Sequence, residues 1–157
     1  MSRGAKTSED LLQEHPLLAG SDSSHCAIVS GCARNMAFKA DQYLFREGGD
    51  ADQFHLIREG RVALELNSPG RDPLTFQTLT AGDVVGVSWL IPPYRWAYDA
   101  RALEPSRVIS IDAACLRNKC EADHDLGYDM MKRFMPLLLR RLHAARLQIA
   151  DVYDDRP

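Results

Sequence analysis

Apolar positions along the chain follow three successive rhythms. Over 10–33 they recur unevenly, at Leu11, Leu12, Leu17, Leu18, Cys26, Ile28, Val29 and Cys32, interrupted by Pro16 and by a polar run at 20–24. This pattern predicts two short helices, the second capped by Ser21 or Asp22, whose side-chain oxygens can accept from the first free backbone N–H groups. Over 35–111 the apolar runs shorten and fill with β-branched and aromatic residues, as in Tyr43-Leu44-Phe45, Gln53-Phe54-His55-Leu56-Ile57, Val62-Ala63-Leu64-Glu65-Leu66, Leu74-Thr75-Phe76-Gln77-Thr78-Leu79 and Arg107-Val108-Ile109-Ser110-Ile111. Turn formers separate them at Gly48-Gly49, Glu59-Gly60, Pro69-Gly70 and Gly82-Asp83. Short strands at near-regular spacing predict an antiparallel roll or barrel, not a sheet with helical crossovers. Helical spacing then returns, in a short helix over 113–120 and a long one over 123–153. In the long helix Met131, Phe134, Leu138, Leu142, Ala145, Ile149 and Val152 lie three or four apart and form one apolar stripe. A stripe of that length either crosses its own roll or forms a seam with a second copy. Pro136, which removes a backbone donor inside the pattern, is placed to kink the helix and separate a half serving each purpose.

Composition narrows the picture. A chain of 157 residues that is 45% hydrophobic can bury one sizeable core and is expected to form one domain over 9–153, with 1–8 small, polar and disordered. A net charge of −3 supplies no electrostatic footprint for nucleic acid. The first thirty residues hold no signal peptide and no apolar run reaches membrane-spanning length, so a soluble cytoplasmic protein with no membrane partner is expected. Cys26, Cys32, Cys115 and Cys120 are too few and too scattered for a disulfide scaffold and are expected as buried free thiols. Their C-x5-C and C-x4-C spacings do not fit an iron–sulfur clip, and His15, His25, His55, His124 and His143 show no paired metal-ligand spacing. No nucleophile elbow or phosphate-cradling P-loop occurs, so no enzyme and no metal site is expected.

The order of helices, roll, short helix and long helix is similar to the cyclic nucleotide-binding domain of the catabolite-activator (Crp/Fnr) type regulators. The run from Tyr43-Leu44-Phe45-Arg46-Glu47-Gly48-Gly49-Asp50-Ala51-Asp52 to Gly60-Arg61-Val62 resembles that family's signature almost position by position, and Leu79-Thr80-Ala81-Gly82-Asp83-Val84-Val85-Gly86 resembles the stretch before its phosphate loop. Ala102-Leu103-Glu104-Pro105-Ser106-Arg107-Val108-Ile109 looks like the strand leaving that loop. The likeness spans roughly 17–153. It implies an α+β fold: a jelly-roll-like antiparallel β-roll of about eight strands over 35–112, N-terminal helices over 10–33 and C-terminal helices over 113–153. It also implies cyclic AMP or cyclic GMP as ligand and a regulatory homodimer through the 123–153 helix.

In that family a Gly-Glu pair opens the phosphate loop, and an arginine, a small hydroxyl residue and an alanine close it. Gly86, Arg95 and Ala97 match, whereas Val87 stands at the glutamate's place and Trp96 at the hydroxyl residue's. Glycine lets backbone N–H groups approach an anion, and arginine supplies a charged fork. Valine cannot accept from a ribose hydroxyl, a loss of about 1–3 kcal/mol. Two readings stay open. Gly86, Val87, Ser88, Arg95, Trp96 and Ala97 form a ligand-binding loop altered for a cyclic nucleotide or related anion, or an aromatic plug closes the site and the domain works by protein interaction. Arg95 also has a local reading, as an ion-pair partner of Asp83 or Asp99.

Regulators of this family continue past the long helix into a helix-turn-helix module, whereas this sequence ends at Pro157. No direct DNA contact is expected, and signalling is expected to pass through a protein partner. Lys132, Arg133, Arg140, Arg141 and Arg146 crowd the last helix, as a solvated face or as a docking strip for an acidic partner.

Overall fold

The computed structural model describes residues 6–154. Helix α1 (Ser8–Glu14) begins at Thr7, whose side chain accepts from the Asp10 N–H while Asp10 accepts from the Thr7 N–H. This reciprocal cap brings Thr7 and Ser8 into ordered structure, earlier than the sequence suggested, while 1–5 lie outside the described residues. Asp22 caps α2 (Ser23–Ser30) by accepting from Ser24 N–H, one of the two residues expected to do so.

Eight strands follow: β1 (Ala33–Phe38), β2 (Tyr43–Phe45), β3 (Gln53–Glu59), β4 (Val62–Leu66), β5 (Leu74–Leu79), β6 (Val84–Val85), β7 (Asp99–Ala102) and β8 (Ser106–Asp112). They form two four-stranded antiparallel sheets, in the orders β1-β8-β3-β6 and β2-β7-β4-β5. The strand leaving the 86–97 loop is β7, not the 102–109 segment; residues 103–105 turn the chain from β7 into β8. The chain closes with α3 (Ala113–Ala122), capped by Asp112, and α4 (His124–Asp154).

Period-two alternation divides β3, β6 and β8 between two cores. Ile57, Val85 and Val108 meet Val62, Leu64, Ala100 and Ala102 of the second sheet between the layers. Phe54, Leu56, Val84, Ile109 and Ile111 point the other way, toward the helices. Burial on both faces explains why β3 reads as an almost continuous apolar run. On the helical side α4 contributes Leu126, Met130, Phe134 and Leu137, and its buried face ends beside Pro136. Of the stripe expected along this helix only Phe134 is buried in the core. Met131, Leu142, Ile149 and Val152 are exposed.

Two cysteines depart from expectation. Cys32 and Cys115 form a disulfide across a sequence separation of 83, with Cα atoms 5.8 Å apart. The β1–β8 pairing produces the approach: Ala33 faces Ile111, and Asp112 N–H donates to the Cys32 carbonyl at 2.8 Å. Sequence spacing carries no trace of that register. Cys26 and Cys120 are free thiols, Cys26 buried.

His55 is the one inward polar side chain of β3. It is 2% exposed, its Nδ1 lies 2.6 Å from Ser110 Oγ, and its ring meets the Phe38 edge at 5.5 Å. Burial, aided by the Arg34 charge, lowers its pKa from 6.5 to about 4. Below pH ~6.5 the unfolded chain therefore takes up a proton that the folded chain refuses, and stability falls as pH drops toward ~4. Urea unfolding at pH 7 and pH ~4.5 should show a His55-dependent loss of about 2–3 kcal/mol. The loss should disappear in His55→Gln, and an equal pH dependence in that variant would contradict the assignment.

Candidate functional site

The 86–97 loop begins where β6 ends. Gly86 has φ +103°, a left-handed backbone that disfavours a side chain, and a Cβ built there would lie 2.6 and 2.7 Å from Trp96 Cη2 and Cζ3. The close approach that glycine permits is thus taken up by an indole ring. Trp96 is 4% exposed and stacks on Phe45 of β2, with centroids 3.8 Å apart and planes 8° from parallel. Such stacking contributes about 0.5–1.5 kcal/mol beyond the area it buries.

Backbone pairing determines which way each loop residue faces. Trp96 N–H donates to the Gly49 carbonyl at 3.0 Å, Gly48 N–H to the Trp96 carbonyl at 2.8 Å and Ala51 N–H to the Tyr94 carbonyl at 2.7 Å. The loop is zipped onto the turn between β2 and β3, so Trp96 turns inward and its neighbour Arg95 outward. The Arg95 side chain is 57% exposed; its Nη1 stands 3.1 Å from Asp50 Oδ1 and donates to the Gly48 carbonyl at 3.2 Å. Neither carboxylate expected as its partner is the one it meets. Asp99 is buried, accepting from the Glu47 N–H at 2.6 Å and from Asn67 Nδ2, with Arg46 Nε 3.4 Å away. Asp83 accepts from Thr80 N–H at 2.8 Å to close its own turn.

The loop's first turn is held from below. Ser88–Leu90 forms a single 3-10 turn that drops Trp89 into the helical core, stacked on Phe54 at 4.5 Å and edge-on to Phe134 at 5.4 Å. Arg117 of α3 donates to the Trp89 carbonyl at 2.8 Å and lies 4.1 Å over the Tyr94 ring. Gly86 and Trp96 are therefore brought together, Ser88 starts the 3-10 turn, and Ala97 is exposed. Val87 faces elsewhere. It lines a cleft of about 270 Å3 between the roll and α4, together with Leu64, Phe76, Tyr98, Arg141 and Leu142.

Arg141 is the residue that the sequence pattern concealed. It sits in a run of cations expected on a solvated face or docking strip, yet two of that run turn inward. Arg133 pairs with Asp129 at 2.9 Å and donates to the Leu17 and Ala19 carbonyls at 3.0 Å. Arg141 Nη2 donates to the Val84 carbonyl of β6, while its Nε and Nη1 are buried without an acceptor. Burial lowers its pKa, partly offset by Tyr98 and Asp83, and burial likewise raises that of Tyr98. Among the described residues, no group of acidic, histidine and cysteine side chains is arranged to hold a metal ion, and no helix is long and apolar enough to cross a membrane.

Comparison with known proteins matches this architecture to one family. The profile of the cyclic nucleotide-binding domain matches residues 35–123. The anaerobic regulatory protein of Bacillus subtilis is 33% identical over 104 residues, covering 65% of this chain and 43% of that protein. The chain thus spans less than half the length of that relative. A candidate cyclic nucleotide-binding protein of Geobacter metallireducens has a solved structure with a TM-score of 0.78 and 29% identity, covering 88% of this chain and all of that one. A cyclic nucleotide-binding domain of Methylobacillus flagellatus has the same fold, with a TM-score of 0.79 at 19% identity, covering 92% of this chain and 85% of that one.

Proposed function

Since the chain belongs to the cyclic nucleotide-binding domain family, we propose that it is a regulatory module whose phosphate position is occupied by its own Trp96 and whose output passes through α4 to a second copy or a protein partner. The observation that carries this reading is the indole over Gly86, with ring atoms 2.6 and 2.7 Å from where a Cβ would stand. A cyclic phosphate reaching the Gly86 backbone would have to expel a ring that is almost fully buried and stacked on Phe45. Arg95, the cation that the family resemblance assigns to the phosphate, points outward onto Asp50, and Val87 offers no acceptor to a ribose hydroxyl.

The output surface is the second half of α4. Tyr128, Met135, Leu142 and Ile149 repeat every seven residues, as do Met131, Leu138, Ala145 and Val152 three positions later. Six of these eight are large side chains with 47–67% exposure. Two interleaved heptad positions left uncovered on one face form the seam of a two-stranded coiled coil. A homodimer through α4 buries this seam, while Leu126, Met130 and Phe134 on the adjoining face hold the helix to the roll.

Isothermal calorimetry with cyclic AMP and cyclic GMP should register no binding to the native protein. The double variant Val87→Glu/Trp96→Ser, which restores an acceptor and vacates the phosphate position, should gain affinity for one of them. Saturable heat with the native protein that Arg95→Ala abolishes would instead establish a cyclic nucleotide sensor using the 86–97 loop. For the seam, light scattering should give a dimer mass for the native protein and a monomer mass for Ile149→Glu with an unchanged circular dichroism spectrum. A mass unaffected by the substitution would remove α4 as the interface.

A further inference from the structure

A second cleft, of about 340 Å3, opens where α3, the start of α4 and the 86–97 loop meet. It shares no lining residue with the cleft of Val87 and Arg141. Trp89, Leu90, Tyr94 and Met130 form its walls, and Tyr128 and Met131 stand at its mouth, 67% and 50% exposed.

Two opposite charges of α3 line this cleft without meeting. Arg117 and Glu121 are four residues apart, the spacing at which side chains on one helical face pair. Their order is the less favourable one, with the cation nearer the N-terminus, and Arg117 turns across to the loop instead. Its Nη1 donates to the Trp89 carbonyl at 2.8 Å, and the guanidinium lies 4.1 Å over the Tyr94 ring. Among the described residues, neither Arg117 nor Glu121 has an ion-pair partner. The half-buried guanidinium therefore keeps N–H groups that no protein atom accepts, and one turn along the helix a carboxylate stands without a donor.

We infer that this cleft binds a free aromatic α-amino acid, its carboxylate on Arg117, its ammonium on Glu121 and its ring among Trp89, Leu90 and Met130. A carboxylate and an ammonium borne on one carbon match a cation and an anion one helical turn apart, which neither a simple acid nor a simple amine does. Aromatic and thioether walls favour a flat ring over an alkyl chain. About 340 Å3 lies at the small end of ligand pockets, which suits a molecule of that size. The site does not depend on what fills the space over Gly86, and all five residues assigned to the ligand lie off the heptad seam of α4.

Calorimetry on the full chain with L-phenylalanine and L-tryptophan tests this, beside 3-phenylpropionate, which lacks the ammonium, phenethylamine, which lacks the carboxylate, and L-alanine, which lacks the ring. The two aromatic amino acids should bind one per chain. L-alanine and phenethylamine should bind about tenfold or more weaker, and 3-phenylpropionate about two- to fivefold weaker, because Glu121 is exposed to solvent. Arg117→Gln should weaken phenylalanine by about tenfold or more. Glu121→Gln, at an exposed helical position, should remove the difference between phenylalanine and 3-phenylpropionate. In 1H–15N spectra the indole N–H of Trp89, a wall residue whose Nε1 has no acceptor, should shift as phenylalanine is added while that of Trp96 stays in place. The proposal is overturned if neither aromatic amino acid gives saturable heat, if L-alanine binds as well as they do, or if Glu121→Gln preserves the difference. The ligand series uses the native protein, so it decides the matter even where Arg117→Gln does not fold. The two readings fail separately: nucleotide heat in the native protein counts against the Trp96 reading, and missing amino-acid heat counts against this one.

Discussion

The structure depends on the packing of three aromatic rings from three distant parts of the chain. Trp89 stacks on Phe54 at 4.5 Å, and Phe134 meets both edge-on, at 5.5 Å from Phe54 and 5.4 Å from Trp89. All three are essentially inaccessible to solvent. Phe54 belongs to β3, one of the two central strands of the first sheet, Trp89 to the first turn of the 86–97 loop and Phe134 to the long helix. One close-packed contact therefore sets the loop's height above the sheet and the helix's position across it. Interiors packed at crystal density do not yield in small steps, so a change at the loop must be taken up by α4.

A second stack acts at the loop's far end. Phe45 under Trp96 closes the ground over Gly86, and the backbone pairing with residues 48–51 leaves Arg95 no inward direction. Affinity for an anion at this position is thus opposed by buried aromatic area rather than merely left without one acceptor. Arg141, on α4, is a second cation turned inward, its Nη2 on the Val84 carbonyl.

Most of the architecture was legible in the sequence because it rests on local periodicity. The strands at 43–45, 62–66 and 74–79 have the bounds that the pattern suggested, and the short and long C-terminal helices fall within two residues of theirs. What escaped was non-local. Cys32 and Cys115 look unrelated until β1 and β8 pair and bring their Cα atoms to 5.8 Å. Asp99 looked available to Arg95 until the fold buried it against Glu47 and Asn67. Arg141 looked like one more surface cation, because a side chain's inward turn depends on which helical face the core claims. The substitutions at Val87 and Trp96 were legible as departures, but sequence left open whether tryptophan reshaped the pocket or filled it. Its distance from Gly86 and its stack on Phe45 are the facts that bear on that choice.

The central claim is that Trp96 occupies the space a cyclic phosphate would need. The most direct measurement follows the two tryptophan indole N–H signals and the Gly86 amide by 1H–15N NMR while cyclic AMP is raised into the millimolar range. The account predicts that the Trp96 indole and the Gly86 amide stay in place throughout. A saturable shift of both together would show the ring giving way to the nucleotide and would contradict it.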